Sequence, residues 1–301
     1  MTPFCLAQAC WRHILTDRHY LDLAKDAPVG RWRAFFGLLL FILVAIVAQV
    51  GAIVAFAFLT GVAIGTEPLV SAQQEALFGV SLLVIGFGAP LLALLTWCKK
   101  LEKRDIKTLF TARATFNWPL ALTGFAVAGA LSMGLSFGLD AEATARVGAR
   151  LMQFALADWL LLVAVYGVGI VIQAGFEELV VRGWVMQTLT RFGLGPLWCI
   201  GVSTIFFVAL HLAHPGWATL AIAAALGLVL GWSVWRLNGL EAALGIHIAN
   251  NFFAALLTGA MIEGNAPDMS ANDLLIYCFY LLGLIVFVEA WARTLDGPAR
   301  R

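Results

Sequence analysis

Residues 172–184 read Ile172-Gln-Ala-Gly-Phe-Glu177-Glu178-Leu-Val-Val-Arg182-Gly-Trp184, and they follow an apolar run that begins at Trp159. Two carboxylates and a guanidinium thus adjoin a stretch long enough to enter a bilayer. Charges beside so much hydrocarbon are costly and usually have a functional reason. On a helix, Glu178 and Arg182 are four apart with the acid N-terminal, the favourable order for an ion pair. Glu177 lies about 100° further round, free to face another element. The stretch therefore offers one neutralised and one available carboxylate. Taken alone, it reads equally as a structural ion-pair knot or as charges at the membrane surface.

Working outward, the chain of 301 residues is 61% hydrophobic and 12% charged. Soluble domains carry about twice that charge fraction. The apolar residues fall in runs near the ~20 that a helix needs to cross a bilayer, not in the short alternating segments of a membrane barrel. The fold class is an all-α polytopic membrane helix bundle. Eight spans are expected: 35–64, 76–97, 119–139, one opening near Asp158, 196–213, 217–235, 240–261 and 274–292. Tilt or a kink near Gly51 fits the length of the first, and Pro90 should kink the second. Gly227 and Gly231 allow close helix contact in the sixth. The chain divides at 1–33, an N-terminal cytoplasmic or interfacial segment, 34–154, three spans with their links, 155–262, a core, and 263–301, the last span and tail.

The net charge of +1 and the absence of a basic stripe exclude a nucleic-acid binder. Cys5, Cys10, Cys98, Cys199 and Cys278 lack metal-ligand spacing and form no disulfide framework. Residues 1–33 carry charges throughout, unlike a cleaved signal peptide, and suit an amphipathic interfacial helix. The loop with Lys99, Lys100, Lys103, Arg104, Lys107 and Arg113 is read as membrane-orienting rather than as a partner site. With eight spans, every Lys and Arg except Arg146 and Arg150 falls on one side. That side is cytoplasmic, so both termini are expected there.

Three further polar residues stand out. His211 lies late in the fifth span. His247 and Asn251 share one face of the seventh and are expected to face the bundle interior, either as a site or as an interhelical clasp. The turn at 191–196 joins the fourth and fifth spans. Glu177 and His211 both lie roughly 21–23 Å from it at 1.5 Å per residue, so antiparallel packing brings them level if the fourth helix continues to about Thr190. His247 is only about 12 Å past Gly239, a looser match in depth.

Glu177-Glu178-Leu-Val-Val-Arg182, Phe207-Val-Ala-Leu-His211 and His247-Ile-Ala-Asn-Asn251 resemble, in order, the three motifs of the CPBP intramembrane proteases, which include type II CAAX prenyl endopeptidases and bacterial Abi proteins. The resemblance covers about 155–256 and implies a catalytic core in helices four to seven that hydrolyses peptide bonds. It implies Glu177 as general base, His211 helping to hold the water, His247 and Asn251 as oxyanion donors, and Glu178 with Arg182 fixing the helix and tuning Glu177. Glu177, His211 and His247 could alternatively supply three ligands to a catalytic zinc; metal-free water activation is the expected form. The implied substrate is a membrane-associated peptide or protein, lipidated or not, and the implied place is a bacterial inner (cell) membrane. A transporter or scaffold that binds without cutting, or a silent family member in bacteriocin immunity, would use the same polar cluster.

Overall fold

The computed structural model describes residues 18–25, 30–61, 71–212, 216–259 and 270–296. Among these residues there are nine helices: α1 (Arg31–Thr60), α2 (Ala72–Lys100), α3 (Trp118–Leu139), α4 (Ala141–Leu151), α5 (Leu156–Arg191), α6 (Pro196–Leu210), α7 (Trp217–Leu237), α8 (Glu241–Thr258) and α9 (Ala271–Asp296). The all-α bundle is as expected. Local chemistry sets the boundaries. Asn117 and Asp140 accept from Leu120 and Ala143 backbone N–H at 3.1 and 2.8 Å, closing the exposed donors of α3 and α4. Pro196 opens α6, where its missing N–H costs nothing.

Six of these helices, α1, α2, α3, α5, α7 and α9, are long and apolar enough to cross a membrane. The other two of the eight expected are α6 and α8. α6 has 15 residues, and α8 carries Glu241, His247, Asn250 and Asn251 in its 18. α8 is enclosed by neighbouring helices along most of its length, so its polar groups meet protein rather than lipid. Gly245 makes that enclosure possible: a Cβ there would collide with the Ala121 carbonyl of α3. The large apolar residues left outward, such as Phe36, Leu43, Val54 and Phe58 on α1, form a surface suited to lipid. The protein is an integral membrane protein.

α1 runs unbroken through Gly51. α2 also continues through Pro90, but its winding widens over Val80–Gly86, one turn earlier. A second widened segment, Leu179–Val185, lies inside α5 directly after the glutamate pair. Such π-type turns recur at functional sites. α5 nonetheless continues to Arg191, the extension that the depth argument required.

The two ends of the bundle are closed differently. Away from the glutamates, α4 turns Arg150 onto Glu75 of α2 in a bidentate pair of 2.8 and 2.6 Å. At the other end, residues 18–25 and 102–117 cover the ends of α5 and α7 and the start of α8. Trp184 Nε1 donates to Glu102 at 2.9 Å, Arg104 donates to Gln187, and Arg113 pairs with Glu241 at 3.1 Å. Tyr20 and Leu21 are buried in this cap, with the Leu21 carbonyl accepting from Thr190 at 2.6 Å. Two expectations change here. Arg104 and Arg113 belong to the protein interior, whereas Lys99, Lys100, Lys103 and Lys107 stay exposed. Tyr20 and Leu21 pack on the bundle rather than lie along a membrane surface; residues 1–17 fall outside the described residues. Cys98, Cys199 and Cys278 are free thiols, as expected.

Candidate active site

The site is built between α5 and α8, with α6 and α7 behind it. α5 supplies Gln173, Glu177, Glu178 and Arg182. Glu178 is wholly enclosed, and its Oε1 accepts from two directions: from Arg182 Nη1 at 2.8 Å and from His247 Nδ1 at 2.8 Å. The first bond follows from the four-residue spacing. The second crosses to α8 and could not be read from spacing.

Arg182 is held on three sides. Besides Glu178, its Nη2 donates to the Gly227 carbonyl of α7 at 3.2 Å, and its guanidinium lies 4.3 Å from the Phe207 ring centroid of α6. A face-on aromatic ring stabilises a cation that has been taken out of water. A side chain at Gly227 would crowd this contact: an added Cβ would stand 3.1 Å from Thr204 Cγ2 and 3.5 Å from Arg182 Nη2. The expected close packing at Gly227 and Gly231 is present, with Gly231 against Ile200.

His247 is therefore fixed by a buried Arg–Glu–His chain. Its Nδ1 faces a carboxylate, so Nδ1 carries the proton. Its Nε2 then accepts from Asn251 Nδ2 at 3.2 Å. The same Nε2 lies 3.5 Å from Glu177 Oε2. Among the described residues, Glu177 Oε2 accepts no hydrogen bond. Glu178 Oε2 accepts none either, but Glu178 is 0% exposed while Glu177 keeps 5% of its surface open. Glu177 is thus the less enclosed carboxylate of the pair.

His211 caps the end of α6. Its Nδ1 is 2.9 Å from the Phe207 carbonyl, and its ring is 4.8 Å from the Phe207 ring. Phe207 in turn meets His247 edge-on at 5.5 Å. His211 thus stands on the same aromatic residue that backs Arg182 and His247. His214 lies outside the described residues. The looser depth match for His247 ends in a direct contact with Glu178. The start of α8 is tied to the cap, where Leu240 N donates to the Phe110 carbonyl at 2.8 Å.

The zinc alternative is not met. Among the described residues, no group of three His, Cys, Asp or Glu side chains is placed to hold a metal ion. His247 has Nδ1 committed to Glu178 and Nε2 to Asn251, so the ligand set of Glu177, His211 and His247 is not assembled.

Two contributors were missed in the sequence. Gln173 accepts from Asn251 Nδ2 at 3.0 Å, and Asn250 Nδ2 donates to Asn251 Oδ1 at 3.0 Å. Gln173 stands one turn before Glu177 in an otherwise apolar helix. That is the signal that singled out His247 and Asn251, so Gln173 was findable.

Residues 157–253 match the family described as "Type II CAAX prenyl endopeptidase Rce1-like". The match supports assignment to the CPBP/CAAX protease family, and it spans every site residue above. The chain is 25% identical over 173 residues to the uncharacterized protein YyaK of Bacillus subtilis (strain 168), covering 51% of this chain and 52% of that protein. It thus spans about half the length of this relative. No solved structure matches.

Proposed function

We propose that the chain is an intramembrane endopeptidase in which Glu177 activates water against a peptide bond of a membrane-associated substrate. One observation carries the reading: a buried carboxylate oxygen without a protein donor lies 3.5 Å from the Nε2 of a histidine locked by Glu178 and Arg182. A water or a carbonyl entering there meets a base and two orientable polar groups at once.

In this reading Glu177 takes a proton from water as the oxygen attacks the carbonyl carbon. The proton passes to His247 Nε2, giving an imidazolium flanked by Glu177 and Glu178. That cation and the Asn251 N–H then face the oxyanion, where fixed donors act most strongly. His247 thus becomes an oxyanion donor only after it has accepted a proton, a refinement of the role carried over from the resemblance. The leaving nitrogen takes the proton as the C–N bond breaks. His211, standing on Phe207, holds the water on the other side. Glu178 and Arg182 position the histidine. No step passes through a metal.

The family match supports a peptide prenylated on the cysteine of a C-terminal CAAX sequence as the first substrate to test. Both termini are proposed to lie in the cytoplasm of a bacterium, which the Lys and Arg distribution supports. The test uses purified protein in detergent with an internally quenched peptide ending in a farnesylated CAAX sequence, and with the same peptide unfarnesylated. Cleavage by the wild type that Glu177→Gln abolishes supports the reading. Equal cleavage by the two proteins refutes it.

A further inference from the structure

The amide of Asn251 is committed on every side. Its Nδ2 donates to Gln173 Oε1 at 3.0 Å and toward His247 Nε2 at 3.2 Å, and its Oδ1 accepts from Asn250 at 3.0 Å. The two N–H bonds of a primary amide diverge by about 120° in one plane. Once one of them is given to Gln173, the direction of the other is fixed. In the resting site it points at His247 Nε2, the atom that also lies 3.5 Å from Glu177 Oε2. Gln173 is 4% exposed and sits on α5 one turn before Glu177. The helix that carries the base therefore also carries the acceptor that aims the oxyanion donor of α8.

We propose that Gln173 is a positioning residue for catalysis: it holds the Asn251 amide so that its second N–H keeps one direction, beside His247 Nε2, where the oxyanion accepts it. This inference rests on the proposed endopeptidase function and goes beyond it by naming what sets the donor's direction. The exchange balances. In the resting site Nε2 is an acceptor and takes the Asn251 N–H. When Nε2 becomes N–H it can no longer accept, and the Asn251 N–H, still held by Gln173, is open to the substrate oxygen. Asn250 keeps the oxygen end of the amide from exchanging places with its nitrogen end. Without Gln173 the amide turns about its side-chain bonds, and the N–H no longer has a single direction.

The experiment is a double-mutant cycle of Gln173→Leu and Asn251→Ala, read with the quenched farnesylated peptide used above. Removing one oxyanion donor costs about 10²–10³ in kcat, so misdirecting it by Gln173→Leu should cost about 10-fold or more, with KM near the wild-type value. In the Asn251→Ala background the same change should cost nothing further, because the group that Gln173 aims is gone. A mere clasp between α5 and α8 would lower thermal stability and multiply its effect in both backgrounds. Gln173→Met, which keeps length and helix preference without the acceptor, provides the same cycle should the leucine variant not fold. Full-rate cleavage by Gln173→Leu or Gln173→Met, or equal fold-losses with and without Asn251, overturns the positioning role while leaving the endopeptidase reading intact. A wild type that shows no Glu177-dependent cleavage overturns the endopeptidase reading, and the positioning role with it.

Discussion

Adjacent glutamates of the same helix should give opposite results when each loses its charge. Glu178 Oε1 accepts from both Arg182 and His247 at 2.8 Å, at a side chain closed to solvent. Glu178→Gln keeps the shape and leaves an amide oxygen for the same donors. Hydrogen bonds to charged groups contribute about 1.5–3 kcal/mol and neutral ones about 0.5–1.5. The difference over two bonds is roughly 2–3 kcal/mol, before any cost of leaving Arg182 without its counter-charge. At about 2–4 °C per kcal/mol for a chain of this order of size, Tm should fall by roughly 4–12 °C. Glu177 differs, because its Oε2 accepts no hydrogen bond among the described residues. Glu177→Gln removes a charge that is buried without a donor, so Tm should hold or rise. The assay is thermal unfolding of the two purified variants in the same detergent, followed by intrinsic tryptophan fluorescence. Equal losses of stability in the two variants, or a larger loss at Glu177, would refute the assignment of Glu178 as the structural member of the pair.

Three other outcomes follow from the packing. Gly227→Val forces a side chain into the space between Thr204 and Arg182; overpacking of about 1–3 kcal/mol is expected, with activity lost alongside stability. Arg113→Ala leaves Glu241 buried without its partner. Breaking such a pair costs about 3–5 kcal/mol, and the drop should appear in unfolding of the intact protein. Exhaustive chelation with 1,10-phenanthroline followed by desalting should leave Glu177-dependent cleavage unchanged. Loss that added zinc restores would contradict the donor geometry.

Helix content, the polar face of α8 and the Glu178–Arg182 pair were legible because each rests on local spacing, where a period of 3.6 decides which residues meet. The continuation of α5 to Arg191 was also legible, since a level match between Glu177 and His211 demanded it. What spacing could not supply was contact between helices far apart in sequence. The bond from Glu178 to His247 depends on how deeply α8 begins, and that depends on Arg113, Phe110 and Leu240 in a cap whose charges resemble an ordinary basic loop. What α6 and α8 face was likewise beyond spacing: α6 has 15 residues, and α8 is sheltered by protein rather than lipid. Gln173 was visible from the start, inside the stretch that carries the glutamates. It was passed over because a neutral amide draws less notice than a charge.

The central claim is that Glu177 is the base. The most direct measurement compares the wild type with Glu177→Gln, purified side by side and equally folded by thermal unfolding, for cleavage of the quenched farnesylated peptide. Matched mass spectrometry of peptide ends in membranes of cells carrying each protein extends the comparison to native substrates. The account predicts that cleavage and its new peptide ends vanish with the glutamine while the fold persists. Unchanged cleavage by a stable Glu177→Gln protein would contradict it.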